Sequence, residues 1–288
     1  METLHFAHIS DTHLTCGGSS PFMQRVAREV RDPWDNLKDC LCQLQGKALD
    51  FVLLTGDLVH EGEEEDYKAL KRLLEEKLPG VPLCCAMGNH DHRLAFRRGF
   101  LGENTEDAGP YLAYTQVKGL GIITLDSPYL HGTDGTLPPD QLEFLRKSLE
   151  QKPPRGNIVI LHHPVVGQQP WGPMEAPEEY LELLAKGKVR GVFAGHLHCS
   201  FHGWRGGVPH YTAGSLAFGI DMEEHRAVYT NQWCYHLCRM EGDGTVSFWP
   251  VTLSPSRQVL QVKPMRSEEH TSELQSPQNL VLRRRREK

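Results

Sequence analysis

Sixteen histidines are present, and many of them fall beside Asp, Asn or Gly in short clusters. The clusters are Asp11-Thr12-His13, Gly56-Asp57, Gly88-Asn89-His90-Asp91, His162-His163-Pro164 and Gly195-His196-Leu197-His198. Together they offer carboxylates, imidazoles and one amide, the donor set that suits hard-to-borderline divalent metals. Singly, each cluster is uninformative, because a D-x-H or a G-D occurs by chance in most chains of this size. Jointly they carry weight. Several histidines and two aspartates buried in one place without a cation would incur a large desolvation and like-charge penalty.

The elements that must position these residues can be read from hydrophobic periodicity. Each cluster directly follows a strand-like apolar run. Leu4–Ile9 precedes Asp11, Asp50–Thr55 precedes Asp57, Val81–Met87 precedes Asn89, Asn157–Leu161 precedes His162, and Val189–Ala194 precedes His196. Helical stripes lie between them. Trp34, Leu37, Leu41 and Leu44 mark one; Tyr67, Leu70, Leu74 and Leu78 mark a second, with the acidic run Glu63–Asp66 where a helix dipole favours it. Pro138–Gln151 and Glu178–Lys186 mark two more. Tyr111–Val117 and Leu120–Leu125 read as paired strands about a tight Lys118-Gly119 turn, and strand patterns dominate after Phe201. Alternating strands and helices predict an α/β protein with partly parallel sheets, here two central sheets flanked by helices. In such folds ligand sites gather at the carboxyl ends of strands, where all five clusters fall.

The five blocks, in this order, resemble the signature of the calcineurin-like metallophosphoesterase superfamily: D-x-H, G-D, G-N-H-[DE], a later H, and G-H-x-H. The resemblance spans about Leu4 to Leu253. It implies a four-layer α/β/β/α sandwich with two central mixed sheets and a dinuclear metal centre. Carried over residue by residue, Asp11, His13 and His198 would hold one metal, and Asn89, His162 and His196 the other. Asp57 would bridge both, and His90 would face the substrate phosphate as the catalytic residue. Of the adjacent pair His162-His163, the family position falls on His162, and neighbouring strand residues point opposite ways. The implied cofactors are two divalent ions, Mn, Fe or Zn. Such a pair can hold a hydroxide for in-line attack at phosphorus. The glycines before Asp57, Asn89 and His196 would allow close backbone approach.

Within the superfamily, HISDTHL, LLTGDL, MGNHDHR, Asp134–Leu145, LHHP and AGHLH resemble the class III cyclic-nucleotide phosphodiesterase branch. The activity this resemblance implies is metal-dependent hydrolysis of a small phosphodiester, with a 3′,5′-cyclic nucleotide as the expected substrate. A phosphomonoesterase or nucleotide pyrophosphatase on the same site is the alternative; a non-catalytic scaffold of the same fold is a remote one, since no ligand position is missing. The loop Val165–Met174 and the segment after Ser215 match no known pocket. Asp126 is a candidate to orient a ligand histidine or to cap structure. His202 and His210 are expected at the surface or in packing, and Trp171, Tyr129 and Trp204 are candidates to stack on a base or to pack.

Apolar residues are 39% and charged residues 24% of the 288, which excludes disorder as the main state. The segment Arg266–Ser276 (RSEEHTSELQS) matches one reading frame of a widely used sequencing-library adapter. The expected domain is therefore residues 1–265, with 266–288 a non-native tail, and the run Arg283–Arg286 is not read as a nucleic-acid patch. The tail holds six basic and four acidic side chains, so the net charge of −6 becomes −8 for the remainder. An acidic body disfavours a nucleic-acid polymer as partner. No apolar run approaches the ~20 residues of a membrane span, and Met1–Ser10 lacks the basic start of an export leader. Eight cysteines without C-x-x-C spacing then read as reduced thiols in a cytoplasmic protein, with Cys84 and Cys85 in the core.

Overall fold

A computed structural model describes residues 2–14, 21–129, 133–167, 169, 172–223, 226–254 and 256–264. The expectations about 266–288 and Trp171 lie outside these residues.

Strands β1 (Leu4–Ile9), β2 (Phe51–Thr55) and β3 (Leu83–Ala86) run parallel, side by side. Two antiparallel strands, β12 (Cys234–Met240) and β13 (Val246–Thr252), extend that sheet beyond β1. A six-stranded sheet is ordered β4 (Ala113–Val117), β5 (Leu120–Thr124), β6 (Asn157–Ile160), β7 (Val192–Ala194), β9 (Val208–Thr212), β8 (Phe201–Arg205). Its middle four strands are parallel and its edges antiparallel. The β4–β5 turn places Lys118 and Gly119 at φ 46° and 83°, the left-handed pair that a two-residue hairpin requires.

Strand alternation builds the layers. Phe6, Phe51 and Leu53 face the second sheet, meeting Ile122, Ile160 and Phe193. Ala7, Ile9, Val52 and Leu54 face the other way, onto Leu37 and Leu41 of α2 (Pro33–Leu44) and Tyr67 and Leu70 of α3 (Glu64–Lys77). The second sheet likewise turns Val159 and Val192 outward, onto Leu145 of α5 (Pro139–Leu149) and Leu184 of α6 (Glu178–Lys186). The order is helix, sheet, sheet, helix, as expected. Phe6 stacks on Phe51 at 4.6 Å and meets Phe193 edge-on at 5.5 Å. Such pairs contribute roughly 0.5–1.5 kcal/mol each beyond area burial, and here they fix β1 and β2 against β7. The carboxyl ends of β1, β2, β3, β6 and β7 thereby share one rim.

The helix α3 starts as its acidic first turn predicted, with Glu63 and Asp66 forming a capping box. Cys84 and Cys85 are buried between layers, and the seven described cysteines are free thiols. Three features were not anticipated. Helix α1 (Pro21–Glu29) packs Val26 on a small antiparallel sheet of β10 (Gly219–Glu223), β11 (Arg226–Thr230) and β14 (Val259–Pro264). A short helix α4 (Arg93–Phe96) continues into a π-helical turn, Arg97–Leu101. Among the described residues, no helix is long and apolar enough to cross a membrane.

Candidate active site

At the end of β1 the chain leaves extended geometry, and Asp11 and His13 donate backbone N–H groups to the carbonyls of Gly56 and Asp57 at 3.0 and 2.9 Å. The first two clusters are thus stitched together by main chain. Of the nine described non-glycine residues with positive φ, five are Asp11, His13, Asp57, His196 and His198. Such backbone costs of order 1–3 kcal/mol per residue and persists where surrounding structure over-determines it. Close approach explains the adjacent glycines. A Cβ on Gly56 would sit 2.6 Å from His162 Nδ1 and 2.7 Å from the Gly88 nitrogen, and one on Gly195 would strike Ser10 Oγ.

Asp11, His13, Asp57 and His198 are buried with one donor atom each in a single cluster. His198 donates Nδ1–H to the Phe218 carbonyl (2.9 Å), which leaves Nε2 facing Asp11 Oδ1 (3.3 Å) and His13 Nε2 (3.0 Å). Asp11 accepts from the His196 backbone N–H. Asp57 accepts from the His90 N–H on Oδ1 (2.8 Å) and aims Oδ2 between His13 Nε2 (3.6 Å) and His162 Nε2 (3.3 Å). His162 is oriented as His198 is, with Nδ1–H donating to the Thr55 carbonyl at 2.8 Å.

A second group contains His162, His163 and His196. His163 is committed elsewhere: its ring nitrogens bond Ser127 Oγ (3.0 Å) and the Thr133 carbonyl (2.9 Å). By contrast Asn89 Oδ1 and His196 Nε2 are buried without a hydrogen-bond partner, and His162 Nε2 faces the Asp57 carboxylate. Three such donor atoms converging on one rim beside two carboxylates suit a divalent cation. The donor set fits divalent metals. The eight sequence-predicted residues are all brought to this rim, with His90 at its half-buried lip, stacked on His60 and 5.2 Å from the His13 ring.

The titration behaviour follows from burial and neighbours. Burial pushes His13 well below its ordinary value, and burial with His162 nearby takes His196 to about 3. Both imidazoles therefore present free lone pairs. Burial opposes charge on Asp57 too, but His162 and His90 hold its carboxyl well below the usual range. His162 is the exception. Burial would lower it, yet Asp57 and Asp11 lift it to about 9. Without a metal a proton there answers the two carboxylates, and a cation would displace it.

Three structural residues escaped the sequence reading. The buried Asp91 carboxylate accepts from the N–H groups of Leu58, Val59 and Gly88 and from Tyr67 Oη, locking the second cluster to the third. Its position within Gly88-Asn89-His90-Asp91 was the available signal. Arg93 forks onto Asp126 with two 2.8 Å bonds. Asp126 therefore orients an arginine, and the Tyr111 N–H, rather than a ligand histidine. His60 is 6% exposed, with Nδ1 3.1 Å from His13 Nδ1 and its ring parallel to His90, 4.2 Å away. Burial, then His90, takes it to about 3. Of the lesser candidates, His202 is exposed, His210 is buried in packing, and Tyr129 and Trp204 are 61% and 67% exposed.

The Calcineurin-like phosphoesterase family model matches residues 4–200. The chain belongs to that family, whose members are phosphoester hydrolases. It is 33% identical over 227 residues to a probable cyclic nucleotide phosphodiesterase of Rhodococcus erythropolis, covering 76% of this chain and 73% of that protein. It is 33% identical over 225 residues to a cAMP/cGMP dual specificity phosphodiesterase of Mycobacterium tuberculosis, covering 75% and 68%. Among solved structures, a dimetal phosphatase from Danio rerio superposes with TM-score 0.53 at 16% identity, covering 78% of this chain and 95% of that one. GAP50, the anchor in the inner membrane complex of Plasmodium, superposes with TM-score 0.54 at 15% identity, covering 97% of this chain and 94% of that one. Those two likenesses concern the fold alone, so function must be argued from the site.

Proposed function

We propose that this family member is a dinuclear metal-dependent phosphodiesterase acting on a small phosphodiester, with a 3′,5′-cyclic nucleotide as the substrate. The observation that carries the reading is the position of Asp57 Oδ2, between His13 Nε2 and His162 Nε2, with the donors of two groups on either side. The names of the two bacterial relatives support the substrate class.

Asp11, His13 and His198 would hold one ion, Asn89, His162 and His196 the other, and Asp57 both. When bound, two divalent ions supply Lewis acidity and an activated water for in-line displacement at phosphorus. The protein's own part is orientation and charge. Backbone carbonyls fix the Nε2 lone pairs of His162 and His198. Asn89 contributes a neutral oxygen, which keeps the rim electropositive toward an anionic phosphate. His90, on the open side, stabilises the developing charge and gives a proton to the leaving oxygen; such acid catalysis contributes roughly 10²–10⁴-fold. The acidic body favours a small substrate over a polymer.

The deciding measurement is turnover of bis-p-nitrophenyl phosphate, p-nitrophenyl phosphate and cyclic AMP by the Mn²⁺-loaded chain. Faster kcat/KM on cyclic AMP and the diester than on the monoester is expected. Faster hydrolysis of the monoester would identify a phosphomonoesterase; no hydrolysis of any of the three would return the scaffold reading.

A further inference from the structure

We infer that His60 is a positioning residue that sets the tautomer of His13 and backs the ring of His90, coupling the metal-facing and substrate-facing sides of the rim. The inference rests on the roles proposed above for His13 and His90.

Imidazoles that ligate metals usually donate their other N–H to a fixed acceptor. His162 and His198 do so, to the Thr55 and Phe218 carbonyls. His13 differs. Its Nε2 faces Asp57 and His198, while its Nδ1 meets another imidazole nitrogen, His60 Nδ1, at 3.1 Å. A carbonyl is always an acceptor, whereas a neutral imidazole nitrogen accepts only in one tautomer. For His13 to present a lone pair from Nε2, its proton must sit on Nδ1. His60 must then accept on Nδ1 and carry its own proton on Nε2. Without a metal the reverse arrangement is open: His60 donates to His13, and His13 Nε2–H donates to His198 Nε2. Loading the site would select the first arrangement in both rings.

His60 is well placed for this. Its backbone N–H bonds the Leu14 carbonyl and the next N–H, of Glu61, bonds the His90 carbonyl, both at 2.9 Å. One loop is thus pinned to the first and third clusters at once. The 21° angle between the His60 and His90 rings makes His60 a flat support for His90.

The test uses the full chain, stripped by a chelator and then loaded with Zn²⁺ alone. In ¹⁵N-histidine spectra of the loaded protein, His60 is expected as the Nε2–H tautomer and His13 as the Nδ1–H tautomer. A loaded His60 protonated on Nδ1, or on both nitrogens, overturns the inference without any variant. Two substitutions then separate its two contacts. His60→Asn keeps an acceptor and loses the ring: metal retention against a chelator should stay within about threefold of wild type, while kcat on cyclic AMP falls about tenfold more than on bis-p-nitrophenyl phosphate. His60→Phe keeps the flat support and loses the acceptor: Zn²⁺ affinity should fall about 10–100-fold. Wild-type behaviour of both variants in both readouts overturns the role of His60 and leaves the proposed function standing. A wild-type chain that neither retains Zn²⁺ nor hydrolyses a phosphodiester overturns the function and this inference with it.

Discussion

Two sets of buried histidines occupy neighbouring parts of the fold. At the rim, His162 and His198 spend Nδ1 on backbone carbonyls and direct Nε2 at carboxylates shared with other residues. Between the sheets, His8 and His236 also use one nitrogen, on Thr55 Oγ1 (2.9 Å) and Ser200 Oγ (2.8 Å), and leave Nδ1 without a partner. Their rings meet edge-on at 5.7 Å. Among the described residues, neither belongs to a cluster of metal-capable atoms. Burial and an unpartnered nitrogen are therefore common to both sets. What distinguishes the rim is convergence, set by strand ends that share one side and by the left-handed backbone that directly follows them.

The sharpest way to break that distinction is at the convergence point. Asp57→Ala should abolish metal retention at both positions and lower turnover beyond the roughly 10²–10³-fold that one electrostatic contact supplies. Elemental analysis reading two ions per chain in that variant would show that Asp57 is not shared. Next in size, His90→Ala should retain the metals while kcat falls by roughly 10²-fold or more on a ribose leaving group, and less on p-nitrophenolate, which needs little protonation. Loss of metal in this variant would move His90 into the ligand set. Equal slowing of both leaving groups would assign it to charge stabilisation alone.

The inter-sheet set should answer to pH instead of to metal. Burial lowers His236 from the ordinary 6.5 to about 4. Between those values the unfolded chain binds a proton that the folded chain does not. Stability from keeping this ring neutral is thus full above pH 6.5 and is lost as pH falls toward 4, by about 3 kcal/mol in all. His236→Gln should reduce that slope in urea melts of the metal-free protein, the other histidines depressed by burial supplying the remainder, and leave metal content unchanged. An unchanged slope would assign the acid sensitivity elsewhere. The smallest effect is expected at the C-terminus. Removing residues 266–288 should shift neither the melting temperature nor turnover; a drop of several degrees would make that segment part of the folded domain.

Much of this organisation was legible along the chain, because the strand-end clusters depend on local order. An apolar run, a glycine and a polar residue occur consecutively, and strand ends of a parallel sheet collect on one side. The five clusters and the layer order follow from that, while the choice of the eight site residues within the clusters, His162 over His163 among them, rested on the family resemblance. The third sheet was not legible as a separate sheet: β10 and β11 pair as near neighbours in sequence, but β14 joins β11 from further along the chain, and that pairing is decided by tertiary register. Helix α1 was likewise hidden: it is short, and its partner surface is formed by residues almost two hundred positions away.

Residue identity alone could say that His13, His60, His90 and His236 can each take or give a proton. Which of them would face a cation, a second imidazole or a sealed core depended on where distant strands set their ends. His60 carries no local mark, three residues beyond Asp57 in the run Gly56-Asp57-Leu58-Val59-His60. Asp126 stood out, but its partner did not: Arg93 lies 33 positions away. A side chain's type limits the bonds it can form, and its sequence neighbours limit the backbone that carries it. The choice among those bonds belongs to three-dimensional packing, because a hydrogen bond or ligand contact requires a partner atom at about 3 Å and only the assembled sheets bring one there.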